Sequence, residues 1–177
     1  MLSNKDPRPP RTPAGNAFTQ LVLEVAWLGN LFTAAGESLA EVGDQTLARW
    51  VVLDAIEDSP STVAHIARRR GIARQAVQRV ADLLEREGLA AYQPNPQHRR
   101  AKLLRPTARG RKVLHVISVQ QKAWADALGA ELGEAELATM TRAIEQVRRA
   151  VTSRALPGAR SHGGRGGKLP RWQPASE

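Results

Sequence analysis

The chain has 177 residues, 42% of them hydrophobic, enough for one well-buried domain and not evidently for two. It holds no cysteine, which excludes disulfides, thiolate metal ligands and thiol-based redox sensing, and no apolar run approaches the roughly 20 residues needed to cross a bilayer. The net charge is +9 and it is concentrated: residues 61–112 carry thirteen Lys and Arg against Asp82, Glu85 and Glu87, a local net of +10, so everything outside that stretch sums to −1. The expectation is a soluble, cytoplasmic protein with no membrane segment, in which one basic module attracts a polyanion.

Residues 1–15 hold Pro7, Pro9, Pro10 and Pro13 among Lys5, Arg8 and Arg11, a composition that predicts a flexible basic arm where a signal peptide would be apolar. From about Asn16, Phe18, Leu21, Val22, Val25, Leu28 and Phe32 recur at helical spacing, and Trp27 and Leu31 widen the apolar face. A face that broad packs against more than one neighbour, and in a small protein one neighbour can be a second subunit. Gly43 and Asp44 break this helix. Thr46 is placed to cap the next, LARWVVLDAIED, with Leu47, Trp50, Val51 and Ala55 on one side.

Ser59 and Pro60 stop that helix, and Thr62 opens a short one with Val63, Ile66 and Ala67 inward and Arg68, Arg69 and Arg70 at its C-terminal end. Gly71 makes a turn. The following helix has a buried stripe of Val77, Val80, Ala81 and Leu84, while Arg74, Gln75, Gln78 and Arg79 occupy its early polar face with no core to serve. Two short helices joined by a glycine turn form a helix-turn-helix, whose second helix enters the major groove with its N-terminal residues at the base edges. Arginine pairs with guanine and glutamine with adenine through two hydrogen bonds each, so these four residues are the candidate base readers. A basic run is often only a solvated face; its coincidence with this pattern favours DNA.

Gly88 ends the helix. Residues 89–92 and 102–104 read as two short strands around the tip PNPQHRR, a wing whose Arg99 and Arg100 would reach an adjacent minor groove while Lys102 and nearby cations meet phosphates. Thr107 is placed to cap a long helix bearing Val113, Val116, Ile117, Trp124 and Leu128. A last helix starts near Glu134, with Leu137, Met140, Ile144, Val147 and Val151 spaced as a lengthwise packing seam, either of an intramolecular bundle or, as palindromic DNA favours, of a dimer. Residues 154–177 return to Gly, Pro and cations and predict a disordered basic tail; its Gly167 and Lys168 lack the earlier glycine and following hydroxyl of a phosphate-binding loop.

Taken together, TLARWVVLDAIED, TVAHIARRRGIARQAVQRVADLLEREGLA and NPQHRRAKLLRPTARGRKVL make the chain resemble the MarR family of bacterial transcriptional regulators over 16–153. The resemblance implies a mainly α fold with a small β-hairpin wing, a winged helix-turn-helix lobe over 46–106, and dimerisation helices over 16–42 and 107–153. It implies a homodimer on a pseudo-palindrome of double-stranded DNA, released by a small aromatic or anionic effector. Trp27, Trp50 and Trp124 lie on the helices that would line that effector pocket, and aromatic walls suit flat ligands.

The chain departs from the family pattern in places. Asn95 and His98 replace the two acidic residues of the usual wing motif, leaving Arg100 without its carboxylate partner and the tip more positive. Ala73 stands where a capping Ser or Thr is usual, and His65 where a capping-box acid often follows Thr62. An enzyme is not expected: His65, His98, His115 and His162 are scattered without zinc spacing, and no catalytic constellation, cofactor motif or metal site is legible. A single Tyr argues against stacking on unpaired RNA bases. The remaining alternative is a winged-helix interaction module or general nucleic-acid binder, and the retained cations of the second helix and wing speak against the former.

Overall fold

The computed structural model describes residues 10–98 and 100–154. Its elements are α1 (Pro13–Glu41), α2 (Leu47–Asp54), α3 (Val63–Arg70), α4 (Arg74–Arg86), β1 (Ala90–Gln93), β2 (Leu103–Pro106), α5 (Ala108–Leu132) and α6 (Glu134–Ser153). This is the mainly helical winged architecture expected. Most of the basic arm expected over 1–15, and the tail over 154–177 apart from Arg154, lie outside the described residues.

Threonine starts four of the helices. Thr12, Thr46, Thr62 and Thr107 each sit in extended backbone and accept, through the side chain, the N–H three residues on. The first of these moves a boundary: Pro13 fits the opening position of a helix because its missing N–H would be unpaired there anyway. Residues 13–15, read from composition as arm, are therefore the first turn of α1. Gly71, at φ 66°, and Gly88, at φ 70°, close α3 and α4 in the left-handed conformation that suits glycine.

The core lies in the lobe formed by α2, α3, α4, the hairpin and the first turns of α5. Val63, Ile66 and Ala67 of α3 and Val77, Ala81 and Leu84 of α4 are buried as their spacing predicts. The second helix differs. Val52 and Leu53, with Ile56 just beyond its end, are the fully buried residues, whereas Leu47, Trp50, Val51 and Ala55 are half-buried. The reason is that α2 touches α1, α4 and α5 at once, so no single stripe defines its inside.

The two strands pair antiparallel with Ala90 opposite Pro106 and Tyr92 opposite Leu104, shifted one or two residues from their expected limits. A third extended segment joins them. Ser61 N–H donates to Leu104 O at 3.0 Å and Leu104 N–H to Ser61 O at 2.8 Å, tying the entrance of α3 to the wing.

At the far end of the hairpin, Thr107 holds three elements together. Its Oγ1 donates to Gly88 O (2.7 Å) and Leu89 O (3.2 Å) while accepting Gly110 N–H at 3.0 Å. Thr107→Val keeps the shape and removes these bonds, so urea unfolding should lose about 1–2 kcal/mol with an unchanged denaturant slope.

Candidate nucleic-acid interface

The left-handed turn at Gly71 sets α4 at an angle to α3 and leaves the start of α4 at the surface. Ala73 makes no side-chain cap, as its residue type predicts. Arg74, Gln75 and Arg79 are exposed, and neither arginine joins an ion pair among the described residues. Their guanidinium groups carry full, uncommitted charge at the N-terminal half of the helix.

Gln78 is different, and the expectation that it serves nothing inside the protein is corrected here. It is half-buried, and its Nε2 donates to Asp82 Oδ1 at 2.7 Å and to the Tyr92 hydroxyl at 2.8 Å. The Tyr92 hydroxyl in turn donates to Asp82 Oδ1 at 3.0 Å. Burial, followed by the hydrogen bond and charge of Asp82, pushes the Tyr92 phenol up to about 12. Only the Gln78 to Asp82 spacing of four was visible in the sequence; Tyr92 comes from a strand beyond the helix.

On the wing, Arg100, Lys102 and Arg105 are exposed and unpaired among the described residues, while Arg99 lies outside them. Asn95 takes over a turn-making role: its Oδ1 accepts Gln97 N–H at 3.0 Å, which an amide oxygen does as well as a carboxylate. Several other cations are already engaged. Arg70 pairs with Asp54, Arg109 donates to Glu87 O (3.0 Å) and Arg111 to Pro106 O (3.2 Å). These bonds fix the orientation of Arg70, Arg109 and Arg111, and the cations without such a partner among the described residues include Arg74 and Arg79 of α4 and Arg100, Lys102 and Arg105 of the wing.

Among the described residues, Trp27, Trp50 and Trp124 are not brought together around one hollow. Trp27 is 65% exposed and lines hollows along α1 that include neither Trp50 nor Trp124. Trp50 packs against the lobe's core. Trp124 of α5 meets Phe32 of α1 edge-on, with ring centroids 6.5 Å apart and planes at 89°. Among the described residues no cluster of His, Asp and Glu could hold a metal ion, and no helix is long and apolar enough to cross a membrane.

Residues 44–101 match the model of the MarR family. An uncharacterized protein of Mycobacterium tuberculosis is 43% identical over 101 residues, a match spanning 57% of this chain and 71% of that protein. A solved MarR family transcription regulator superposes with a TM-score of 0.71 at 20% identity, over 77% of this chain and 91% of that one. The Streptococcus pneumoniae protein FabT, solved in complex with DNA, superposes with a TM-score of 0.62 at 18% identity, over 76% and 97%.

Proposed function

This chain belongs to the MarR family of DNA-binding transcription regulators, and from that premise we propose that its homodimer reads a pseudo-palindromic operator in double-stranded DNA and is modulated by a small aromatic or anionic effector. The observation that carries the reading is the position of Arg74 and Arg79, exposed and unpaired on the first turns of α4 beside the unpaired cations of the wing. A helix presented in this way fits the major groove, and Arg100 and Lys102 then fall on the flanking backbone and minor groove.

The dimer is supported by the surface of the long helices. Phe18, Leu21, Val22, Val25, Leu28 and Phe32 of α1 and Met140, Ile144 and Val151 of α6 are all exposed in the single chain, and α6 buries no residue at all. An intramolecular bundle therefore leaves the α6 seam uncovered, and a second copy is the natural cover. The effector reading is supported by the exposed edge-to-face pair of Phe32 on α1 and Trp124 on α5; release of bound duplex by members of an aromatic carboxylate series is its test.

The deciding experiment is selection of bound duplexes from a random pool at two salt concentrations. An inverted repeat with half-site centres about one helical turn apart is the expected product. Binding without an enriched sequence, collapsing as salt rises, would reduce the protein to a general nucleic-acid binder. On a recovered operator, Arg79→Ala should cost about 1–3 kcal/mol and relax preference at one base pair. A loss equal across all sequences would make Arg79 a phosphate contact instead.

A further inference from the structure

We propose that Tyr92 and Asp82 set the base preference of Gln78: by occupying both of its amide hydrogens they leave it an acceptor alone, which selects an amino-bearing base, cytosine or adenine, rather than adenine specifically. The inference rests on the operator-reading function above.

The donor and acceptor roles are fixed by chemistry. The Asp82 carboxylate only accepts, so the Gln78 atom 2.7 Å from it has to be the NH2 group and not the carbonyl. The Tyr92 hydroxyl donates its single proton to Asp82, so toward Gln78 it accepts. Both hydrogens on Nε2 thus have partners, whereas Oε1 receives no donor among the described residues. Glutamine reads adenine by accepting from N6 and donating to N7, and the second bond needs a free amide hydrogen. What remains is the behaviour of a carboxylate, an acceptor for cytosine N4 or adenine N6 that opposes the O6 of guanine and the O4 of thymine. Opening the triad would remove a hydrogen-bond donor from the half-buried Asp82 carboxylate, which favours its retention on DNA.

The test repeats the duplex selection with the full chain and with Tyr92→Phe and Asp82→Ala, each of which frees one amide hydrogen. In the parent protein one column of the operator should accept adenine and cytosine comparably and disfavour guanine and thymine about tenfold. In at least one variant that column should sharpen to adenine over cytosine by about tenfold. An operator recovered with this column unchanged in both variants, or already specific for adenine in the parent, overturns the proposal and leaves the operator-reading function standing. No enriched sequence from the parent overturns both.

A second readout needs no DNA. Tyr92 is the single tyrosine of the chain, so phenolate absorbance reports it alone. Burial first, and Asp82 second, raise its pKa from 10.0 to about 12 in the folded protein, so the stability that depends on a neutral Tyr92 is complete below about pH 10 and is lost as pH rises toward 12. Absorbance should stay low through that window while circular dichroism reports an intact fold, and Asp82→Ala should lower the midpoint part of the way, since burial, the larger cause, remains. A midpoint that Asp82→Ala leaves unmoved, with the fold intact, overturns the triad itself.

Discussion

Glutamate in place of Ile144 is expected to leave the protein a monomer of 19.3 kDa with its lobe still folded. Ile144 is 55% exposed in the single chain and lines a cleft between α1 and α6 together with Leu28 and Met140. A carboxylate there is hydrated while the chain is alone, so the lobe, whose core lies elsewhere, is not penalised. Closing a second copy over the same surface would bury that charge without a partner, at a cost of about 3–5 kcal/mol. The dimer constant should weaken roughly a hundredfold or more, and operator affinity should fall with it because one lobe reaches only one half-site. Light scattering and titration of the selected duplex give the two numbers. A dimer of unchanged stability in both Ile144→Glu and Leu28→Glu would remove these helices from the interface.

Gly110→Ala should be the most damaging small substitution in the lobe. A Cβ at this position would lie 2.0 Å from the carbonyl oxygen of Leu89. That oxygen belongs to the backbone and already accepts from the Thr107 N–H at 3.0 Å and the Thr107 hydroxyl at 3.2 Å. Relieving the clash means withdrawing α5 from the hairpin and breaking those bonds. A loss of about 3 kcal/mol or more, seen as a Tm lower by roughly 10 °C, is expected. Gly129 provides the contrast: it also sits inside α5, but nothing in the chain lies within 4 Å of the added carbon, so alanine there should stabilise by about 0.5–1 kcal/mol. Equal effects at the two positions would mean that helix propensity, and not the approach to Leu89, governs this helix.

Much of the architecture is written in local signals. The threonine caps, the positive-φ Gly71 and Gly88 and the helical spacing of the lobe's core residues depend on neighbours three or four positions away, which a reader of sequence sees directly. What escaped depends on distant contacts or on the competition between two local meanings. Pro13 belongs equally to a disordered arm and to the first turn of a helix, and Thr12 decides in favour of the helix. The inside of α2 is defined by three other helices, so its spacing alone selects the wrong stripe. The orientations of Arg70, Arg109 and Arg111 are set by Asp54, Glu87 O and Pro106 O, partners that no local spacing reveals. Gln78 has the residue type of a base reader, but its hydrogen-bonding capacity is determined by a tyrosine fourteen positions away on the wing.

The bridge between Ser61 and Leu104 has a mechanical consequence. It fastens the wing to the segment that leads into α3, and the Tyr92 bonds fasten the same hairpin to α4. These bonds couple the wing to the entrance of α3 and to α4, so displacing the hairpin alone would have to break them. In the dimer proposed above, an effector would then act on the placement of the whole lobe relative to the long helices, and the quantity it controls would be the separation of the two lobes. On that reading induction would be a change of gauge: each lobe would keep its grip geometry, while the pair would cease to match the pitch of the duplex.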